Sequence, residues 1–487
     1  MIDASRSIKA CAAFYGDEAD AMEAYLKAGE KKALELDNRG PIVFDEDGKL
    51  CSSIREAYSK YGFYVFENVI DDEELKDIEE DLKHLRTQFP TGPESLTNAN
   101  GEPAMNADSK SLTLVWSKPL GDPLGGTELA NGRHQIKMFE PEAATDAPPA
   151  VPLILLGSLQ FSDACLRTYA HPELLKVAEN IHGKDFAPFN EALFIKEPGI
   201  GAAVSWHQDG VTHWDNPDFD EDIHGFNFMV QVYGSTAVNG VWVVPGTHKV
   251  GKIDIKELVA EAGSERLEGT VPIVCNPGDA IICNRQLLHG SFPNCGYEQR
   301  VTVNFGFHRR SSVLGTQGGG IHSESQVFTE EIIQRRARSI GYAIDARKQK
   351  YTSETPYSYE PFESTNTSFV WNEEARKDLK DYNMGNFQGA IDTESYFTDP
   401  VLPAYLKISL LEDFPKKGML GKDLITKLNK MNVPKNLIPD DLIDPDKRYS
   451  MSDLEFLRNR KFKIESTTRY REDIQKQKLD LNLTTTD

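Results

Sequence analysis

The chain has 487 residues, of which 39% are hydrophobic and 9% aromatic, and its formal net charge at pH 7 is −22. This length exceeds the size at which a single hydrophobic core usually stops growing, so we expect one enlarged domain or two. The excess of carboxylates argues against nucleic acids and anionic membranes as partners, because both repel a negatively charged surface.

The first third of the chain predicts helices around a strand. Residues 1–51 form a charged, helix-prone N-terminal extension that is most regular over 20–36. An apolar strand over 61–69 and an amphipathic helix over 71–85 follow, near the start of a domain that we place at 52–310. The region from about 90 to 152 is rich in Gly, Pro and Asn and is long for a loop, which indicates a functional insertion or a cover. Residues 163–182 predict one helix.

From residue 187 to 307 short apolar strands alternate with turns, several of them at Pro-Gly pairs such as Pro245-Gly246 and Pro277-Gly278. This pattern is typical of a jelly-roll barrel. We therefore predict a mainly β fold with flanking helices (α+β), in which the core is a double-stranded β-helix of the jelly-roll or cupin-like type. Residues 311–487 form a C-terminal extension, with a helix over 329–350. We expect it to pack on the barrel, where it would lengthen the pocket or build a dimer contact, so the protein is either a monomer or a homodimer.

One motif in the strand-rich region predicts a metal site. His207 and Asp209 are two residues apart on a predicted strand, so their side chains point to the same face. His289, from a distant strand, can complete a set of two histidines and one carboxylate, which is typical of non-haem Fe(II) oxygenases because it leaves open positions on the metal. Arg300 follows eleven residues later and offers a fork for a carboxylate.

These motifs stand in an order that resembles the phytanoyl-CoA dioxygenase family of iron- and 2-oxoglutarate-dependent oxygenases. The resemblance covers roughly residues 52–310. It rests on the strand and helix over 61–85 and on five later motifs, namely Trp206–Gly210, Asn239-Gly240 with Val244–Lys249, Pro277–Asp279, Leu288–Ser291 and Arg300.

The resemblance implies roles for individual residues. It implies that His207, Asp209 and His289 bind Fe(II), and that Arg300, supported by the Ser291 hydroxyl, clamps the distal carboxylate of 2-oxoglutarate. Some members carry a lysine upstream of the motif, where this chain has the apolar residues 155–159, so Lys196 is the candidate substitute.

The resemblance also implies a reaction. The acidic ligand favours hydroxylation over halogenation, because related halogenases lack it. We expect O2 and 2-oxoglutarate to be consumed, a C–H bond of a small metabolite to be hydroxylated, and succinate and CO2 to be released.

The residues around the motif indicate how a substrate could be held. The segment 212–222 carries five carboxylates and is flanked by Trp206 and Trp214. This combination would attract a cationic substrate through charge and cation–π contact, and an ordinary solvated acidic loop is the alternative interpretation. Asn227 and Gln231, on the next strand, are further candidates for substrate contact, or else satisfy buried backbone groups.

Two other classes of function stay open. A cupin-like metal-dependent isomerase or hydrolase would use the same barrel, but it needs no clamp for a dicarboxylate such as Arg300 and Ser291 provide. A non-catalytic binding protein on an inherited barrel would not need the five site residues that this chain retains.

Composition also predicts the location. The six cysteines are dispersed and form no CxxC pair, as is typical of reduced thiols. The charged N-terminus does not resemble a secretory signal. The longest apolar stretch, residues 147–161, contains three prolines and is too short to cross a bilayer. We therefore expect a cytoplasmic protein that does not span a membrane.

Overall fold

The structure is a computed structural model. It describes residues 2–109, 113–127, 132–209, 225–315, 317–318, 326–363, 365, 367–380, 382, 419–430 and 444–449. By their contacts these residues fall into two units. The first comprises the described residues within 1–314 and 329–383, and the second those within 315–328 and 384–487.

The N-terminal part of the first unit is helical, as predicted. The elements are α1 (Ser5–Ala13), α2 (Ala19–Glu35), β1 (Arg39–Gly40), α3 (Ser52–Tyr61), β2 (Phe63–Phe66) and α4 (Asp72–Thr87). Helix α4 begins where the sequence predicts, because the Asp71 carboxylate accepts a hydrogen bond from the backbone N–H of Glu74 and so caps the first turn.

The central part of the first unit contains most of the strands. Its elements are β3 (Leu114–Ser117), β4 (Val151–Leu156), α5 (Ser158–Phe161), α6 (Asp163–Tyr169), α7 (Pro172–His182), β5 (Ala187–Lys196), β6 (Val204–His207), β7 (Gly225–Gln231), β8 (Trp242–Val243), α8 (Ile255–Ala262), β9 (Val271–Pro272), β10 (Ala280–Asn284), β11 (His289–Ser291) and β12 (Arg300–His308).

Shorter elements and one long helix follow. They are α9 (Arg310–Val313), β13 (Gln317–Gly318), β14 (Gln326–Val327), α10 (Glu330–Lys350), α11 (Glu360–Glu363), α12 (Glu373–Leu379), β15 (Met419–Leu420), α13 (Gly421–Lys430) and β16 (Arg448–Tyr449). Strands β13 to β16 and helix α13 belong to the second unit, in which β13 pairs with β14 and β15 pairs with β16.

The prediction of one helix over 163–182 is wrong, because the chain forms α6 and α7 with a break between them. Pro172 opens α7, and the preceding His171 has an extended ψ of 121°. A proline lacks the backbone N–H that would continue a helix and disfavours helical geometry in the residue before it. Pro172 therefore ends the first helix and starts the second.

The first unit has a mixed α+β fold with two main sheets. The larger sheet has eight strands in the order β1-β2-β10-β7-β12-β5-β4-β3, and the smaller one has four in the order β6-β11-β8-β9. All pairs are antiparallel except β1 with β2. The large antiparallel sheet with its flanking helices confirms the predicted α+β class.

Alternation along β12 gives the large sheet two different faces. Val301, Val303 and Phe305 pack into the main hydrophobic cluster together with residues of α6 and α7. Arg300 and Thr302 point to the opposite face, because successive side chains alternate. That face carries the buried polar residues of the neighbouring strands, and it is the face on which the candidate site is built.

Helices that precede and follow the strand-rich region both pack within the first unit. In α2, the Tyr25 ring stacks on Trp242 of β8 with centroids 4.7 Å apart. In α10, buried Arg347 pairs with buried Glu74 of α4 at 2.7 Å. Of the helices that the structure describes, none combines the length and the hydropathy required to span a membrane.

Candidate metal centre

The smaller sheet brings the three predicted ligands together. His207 ends β6 and stands directly opposite His289 of β11 in an antiparallel pair. Asp209 follows two residues after His207. The ligand atoms of the three side chains all lie within 4.8 Å of one another, and all three residues are buried. The Nε2 atom of His207 is 3.5 Å from Oδ1 of Asp209, and that of His289 is 4.0 Å from Oδ2.

Both imidazoles are oriented by their own strands. Nδ1 of His207 donates to the carbonyl oxygen of Ser205 at 2.8 Å, and Nδ1 of His289 donates to that of Leu287 at 2.8 Å. A carbonyl oxygen can only accept, so the proton sits on Nδ1 and the Nε2 lone pair faces the cluster. Imidazoles fixed in this way by a backbone bond are the usual ligands of a metal ion. Two neutral nitrogens and one carboxylate therefore fit a divalent iron with open positions.

Burial affects the protonation of the histidines around the cluster. It lowers the pKa of His289 to about 3, and the neighbouring His207 adds to this effect. It likewise lowers the pKa of His134, whose ring lies 4.2 Å from that of His207. The rings of His289 and His134 are consequently neutral at pH 7. For the ligand His289, the neutral ring is the form that binds metal.

Asp209 is buried between cationic groups. Burial alone would raise the pKa of this carboxyl, but the charges of Arg133 and Arg285 hold it well below its usual range. Nη1 of Arg133 lies 3.1 Å from Oδ1 of Asp209, and Nη1 of Arg285 lies 3.9 Å from Oδ2. The carboxylate is therefore ionised at neutral pH and available as an anionic ligand.

A buried network holds the second oxygen of Asp209. Asn227 donates to Oδ2 at 2.8 Å and accepts from Arg285 at 3.0 Å. Asn190 accepts a second bond from the same Nη1 atom of Arg285, at 3.1 Å. The guanidinium of Arg285 also stacks over the Phe189 ring, 4.4 Å from its centroid.

The predicted cosubstrate residues are buried in strands of the two main sheets. Arg300 of β12 pairs directly with Lys196 of β5. Nη1 of Arg300 donates to the carbonyl oxygen of Asn239 at 2.8 Å, whereas Lys196 donates to the carbonyl oxygen of Phe292. Ser291 is buried in β11, two residues after His289. Burial lowers the pKa of Lys196 well below its usual range, and the charge of Arg300 adds to this effect.

The predicted substrate residues have different positions. Trp206 does not join the metal ligands, because successive side chains of β6 alternate and His207 points toward the ligand cluster. The Trp206 ring lies in a hydrophobic cluster instead, and its Nε1 donates to the carbonyl oxygen of Glu265. Asn227 contacts Asp209, as described above. Gln231 accepts a bond from Thr302 at 3.0 Å. Trp214 and the acidic segment 212–222 lie outside the described residues.

Three residues beside the cluster were missed in the sequence, namely Arg133, His134 and Arg285. Arg133 and His134 belong to the long insertion, for which only a covering role was predicted. The available signal was an adjacent Arg-His pair between Gly132 and Gln135 in a region otherwise poor in such groups. Arg285 lies four residues before His289 and is fully buried, but charge alone does not reveal burial.

Comparisons with known proteins relate the chain to oxygenases. A sequence model of the family Phytanoyl-CoA dioxygenase (PhyH) matches residues 58–302, just over half of the chain. Dioxygenase lolE1 of Epichloe uncinata is 31% identical over 137 residues, which are 28% of this chain and 50% of that protein. The match therefore spans half the length of this curated relative.

Solved structures that the chain matches include EctD from S. alaskensis with 2-oxoglutarate and 5-hydroxyectoine. It is 19% identical, with a TM-score of 0.40 over 57% of this chain and 83% of that chain. EvdMO1 is 20% identical, with a TM-score of 0.35 over 52% of this chain and 48% of that chain.

Proposed function

The chain belongs to the phytanoyl-CoA dioxygenase family, as its motifs predict, and on that premise we propose that it is a 2-oxoglutarate-dependent non-haem iron dioxygenase. Its reaction is the hydroxylation of a C–H bond of a small metabolite, with release of succinate and CO2. The convergence of His207, Asp209 and His289 carries the proposal. We further propose that the two main sheets form a double-stranded β-helix, and that the protein acts in the cytoplasm as a monomer or homodimer.

The cofactors are Fe(II), 2-oxoglutarate and O2. His207, Asp209 and His289 would hold the iron, and Arg300 with Ser291 would hold the distal carboxylate of the cosubstrate. When bound, the metal and 2-oxoglutarate together supply activation of O2. The part of the protein is to orient these groups and to exclude water, which the burial of all five side chains supports.

Arg300 suits a carboxylate that is withdrawn from solvent. It is fully buried, and its Nε has no hydrogen-bond partner among the described residues. Burial lowers its pKa to about 10, so it stays cationic at neutral pH. A buried guanidinium with a free donor is stabilised by an anion that accepts from it. Lys196, the neighbour of Arg300 across the strand pair, is the proposed second cosubstrate contact.

The test is formation of succinate from 2-oxoglutarate, measured by NMR with and without added Fe(II). We expect succinate to depend on Fe(II), and His207→Ala or Asp209→Ala to abolish it. His84→Ala, on the exposed face of α4, is the matched control and should keep full activity. Fe(II)-dependent succinate formation that persists in the His207→Ala variant would refute the proposal, as would its absence from the wild type with a broad set of metabolites present.

A further inference from the structure

The described side chains beside the metal centre carry an excess of positive charge, although the whole chain carries a formal charge of −22. Arg133 and Arg285 both face the single carboxylate of Asp209. We propose that Arg133, with His134 beside it and Arg285 behind it, binds an acidic group of the substrate, a carboxylate or a phosphate. This inference rests on the proposed function and names the substrate class of the same site.

Among the residues that the structure describes, the charge balance of the loaded site leaves a positive excess that another anion would offset. Arg133 and Arg285 against Asp209 give a formal charge of +1, from two cations and one anion. A divalent metal raises it to +3, and dianionic 2-oxoglutarate with Arg300 lowers it to +2. Charge that is buried without compensation is costly, because the low-dielectric interior does not solvate it. A carboxylate or phosphate on the substrate offsets this excess.

Unpartnered groups mark where such an anion would bind. Nε of Arg133 is a buried donor without a hydrogen-bond partner within the part of the chain that the structure describes, and Nε2 of buried His134 has no partner there either. Nε2 of His134 carries the ring proton in the tautomer in which Nδ1 accepts from the Ser205 hydroxyl, 3.2 Å away. Arg133 has five N–H donors; its Nη1 lies 3.1 Å from Asp209, whereas its Nε lies unpartnered among the described residues. A planar guanidinium binds carboxylate or phosphate oxygens through two parallel bonds. Arg133 is also less buried than Arg285, so it is the more accessible of the two.

The same charges disfavour the cationic substrate that the acidic segment 212–222 had indicated. An ammonium group at the centre would lie near two guanidinium groups and a divalent metal. Repulsion between like charges within a few ångströms is strong where water is excluded. The described surroundings of the metal centre therefore favour an acidic substrate over a basic one.

The test measures anion binding without turnover. The full-length protein is loaded anaerobically with Mn(II) and saturating 2-oxoglutarate, so that Arg300 is already occupied. Inorganic phosphate, acetate and methylammonium are then titrated by calorimetry and by the Mn(II) EPR signal. We expect both anions to bind and methylammonium not to bind. Arg133→Gln should weaken anion binding at least tenfold, while its affinities for Mn(II) and 2-oxoglutarate stay within about threefold of wild type.

Matched variants separate this role from a structural one. Arg335→Gln removes an arginine that pairs with Glu331 on the surface of α10, and it should bind the anions like wild type. Arg133→Lys keeps the charge without the fork, so it should retain phosphate better than acetate. His134→Gln keeps the charge balance and should weaken anion binding severalfold, which keeps the test available if Arg133→Gln does not fold.

Two results would overturn the inference: equal anion affinity in wild type and Arg133→Gln, or binding of methylammonium in preference to both anions. Either result, together with Fe(II)-dependent succinate formation, leaves the proposed function intact. Absence of succinate formation would instead refute the proposed function. It is measured in the separate succinate assay, so the two failures are distinguishable.

Discussion

Asn227 links Asp209 to Arg285, since its amide nitrogen donates to the aspartate at 2.8 Å while its amide oxygen accepts from the arginine at 3.0 Å. The sequence predicted a substrate contact for Asn227. Its bonds instead indicate a positioning residue that holds one carboxylate oxygen in place. Groups of this kind, which orient a ligand without touching the metal, commonly contribute a factor of about 10–100 to metal affinity.

Replacement of Asn227 should therefore weaken metal binding. We expect Asn227→Leu to lower the affinity for Mn(II) by about 10–100-fold, because Asp209 loses its orienting donor. The affinity is measured by EPR titration of the free metal. Asn180→Leu is the control, since Asn180 bonds to the backbone groups of Gly48 and Leu50, which take no part in the site. An unchanged Mn(II) affinity in Asn227→Leu would show that the bond has no positioning role.

Gly306 offers a test that removes no polar group from the network. A Cβ atom at this position would lie 2.6 Å from Oδ1 of Asn227 and 2.8 Å from Oδ1 of Asn190. We expect Gly306→Ala to displace both amides and to weaken Mn(II) binding in the same direction as Asn227→Leu. Gly92→Ala is the matched control, because no atom lies within 4 Å of a Cβ there. Identical Mn(II) affinities for the two variants would contradict the network.

Arg300 should affect the cosubstrate and not the metal. We expect Arg300→Lys to raise the dissociation constant of 2-oxoglutarate at least tenfold, because an ammonium group cannot form the two parallel bonds of a guanidinium. Mn(II) affinity should stay at the wild-type value. Both constants come from calorimetry under anaerobic conditions, with Arg335→Lys as control. A 2-oxoglutarate constant that does not change would exclude Arg300 as the clamp.

The stability of the metal-free protein should fall as the pH drops from 7 to 5. Burial lowers the pKa of His289 and of His171 to about 3, against an ordinary value of about 6.5. Between these values the unfolded chain binds protons that the folded chain does not, so each histidine contributes stability that is present above pH 6.5 and lost on acidification. The slope is at most about 1.4 kcal/mol per pH unit for each histidine.

His171→Gln isolates one of these contributions by thermal unfolding at several pH values. The variant should lose part of the slope between pH 5 and 7. Burial raises the pKa of Glu191, which gives a slope of the opposite sign, but that contribution is common to both proteins and cancels in the comparison. Parallel pH profiles for wild type and variant would contradict the assignment to His171.

Removal of one partner of the buried ion pair between α10 and α4 should destabilise the protein. Arg347 bonds to both carboxylate oxygens of Glu74, at 2.7 and 2.9 Å, and the two side chains are buried. We expect Arg347→Met to destabilise the protein by about 3–5 kcal/mol, because it leaves a buried carboxylate unpaired. The free energy of unfolding in urea measures this. The double variant Glu74→Met with Arg347→Met should recover part of the loss, and its failure to do so would point to packing instead.

The sequence was informative where a short-range rule applies. The spacing of two between His207 and Asp209 predicted that strand alternation would bring them together, and they do meet, although β6 ends at His207 and Asp209 lies beyond it. The family motif supplied His289, which lies directly opposite His207 in the sheet. The same alternation rule excludes Trp206 from that face, and applying it to the neighbour of His207 would have avoided the wrong expectation. The helix break before Pro172 was also readable from the restriction on the preceding residue.

Other parts of the site depend on the path of the chain. Arg133 reaches Asp209 from a long insertion without regular periodicity, so no pattern in the sequence indicated where its side chain would lie. Arg285 is buried because Asn190, Asn227 and Phe189 surround it, and those contacts come from strands distant in the sequence. Buried charge of this kind is a property of tertiary packing, which local patterns do not encode.

The bonds of His207 and His289 to the carbonyl oxygens two residues before them have a consequence for maturation. Each ring is held by a hydrogen bond to its own strand, so the two histidine ligands are oriented by folding before the metal binds. Uptake of iron then orders few additional groups. Chelation should accordingly empty the centre without unfolding the chain, and readdition of iron should restore it within the time of mixing.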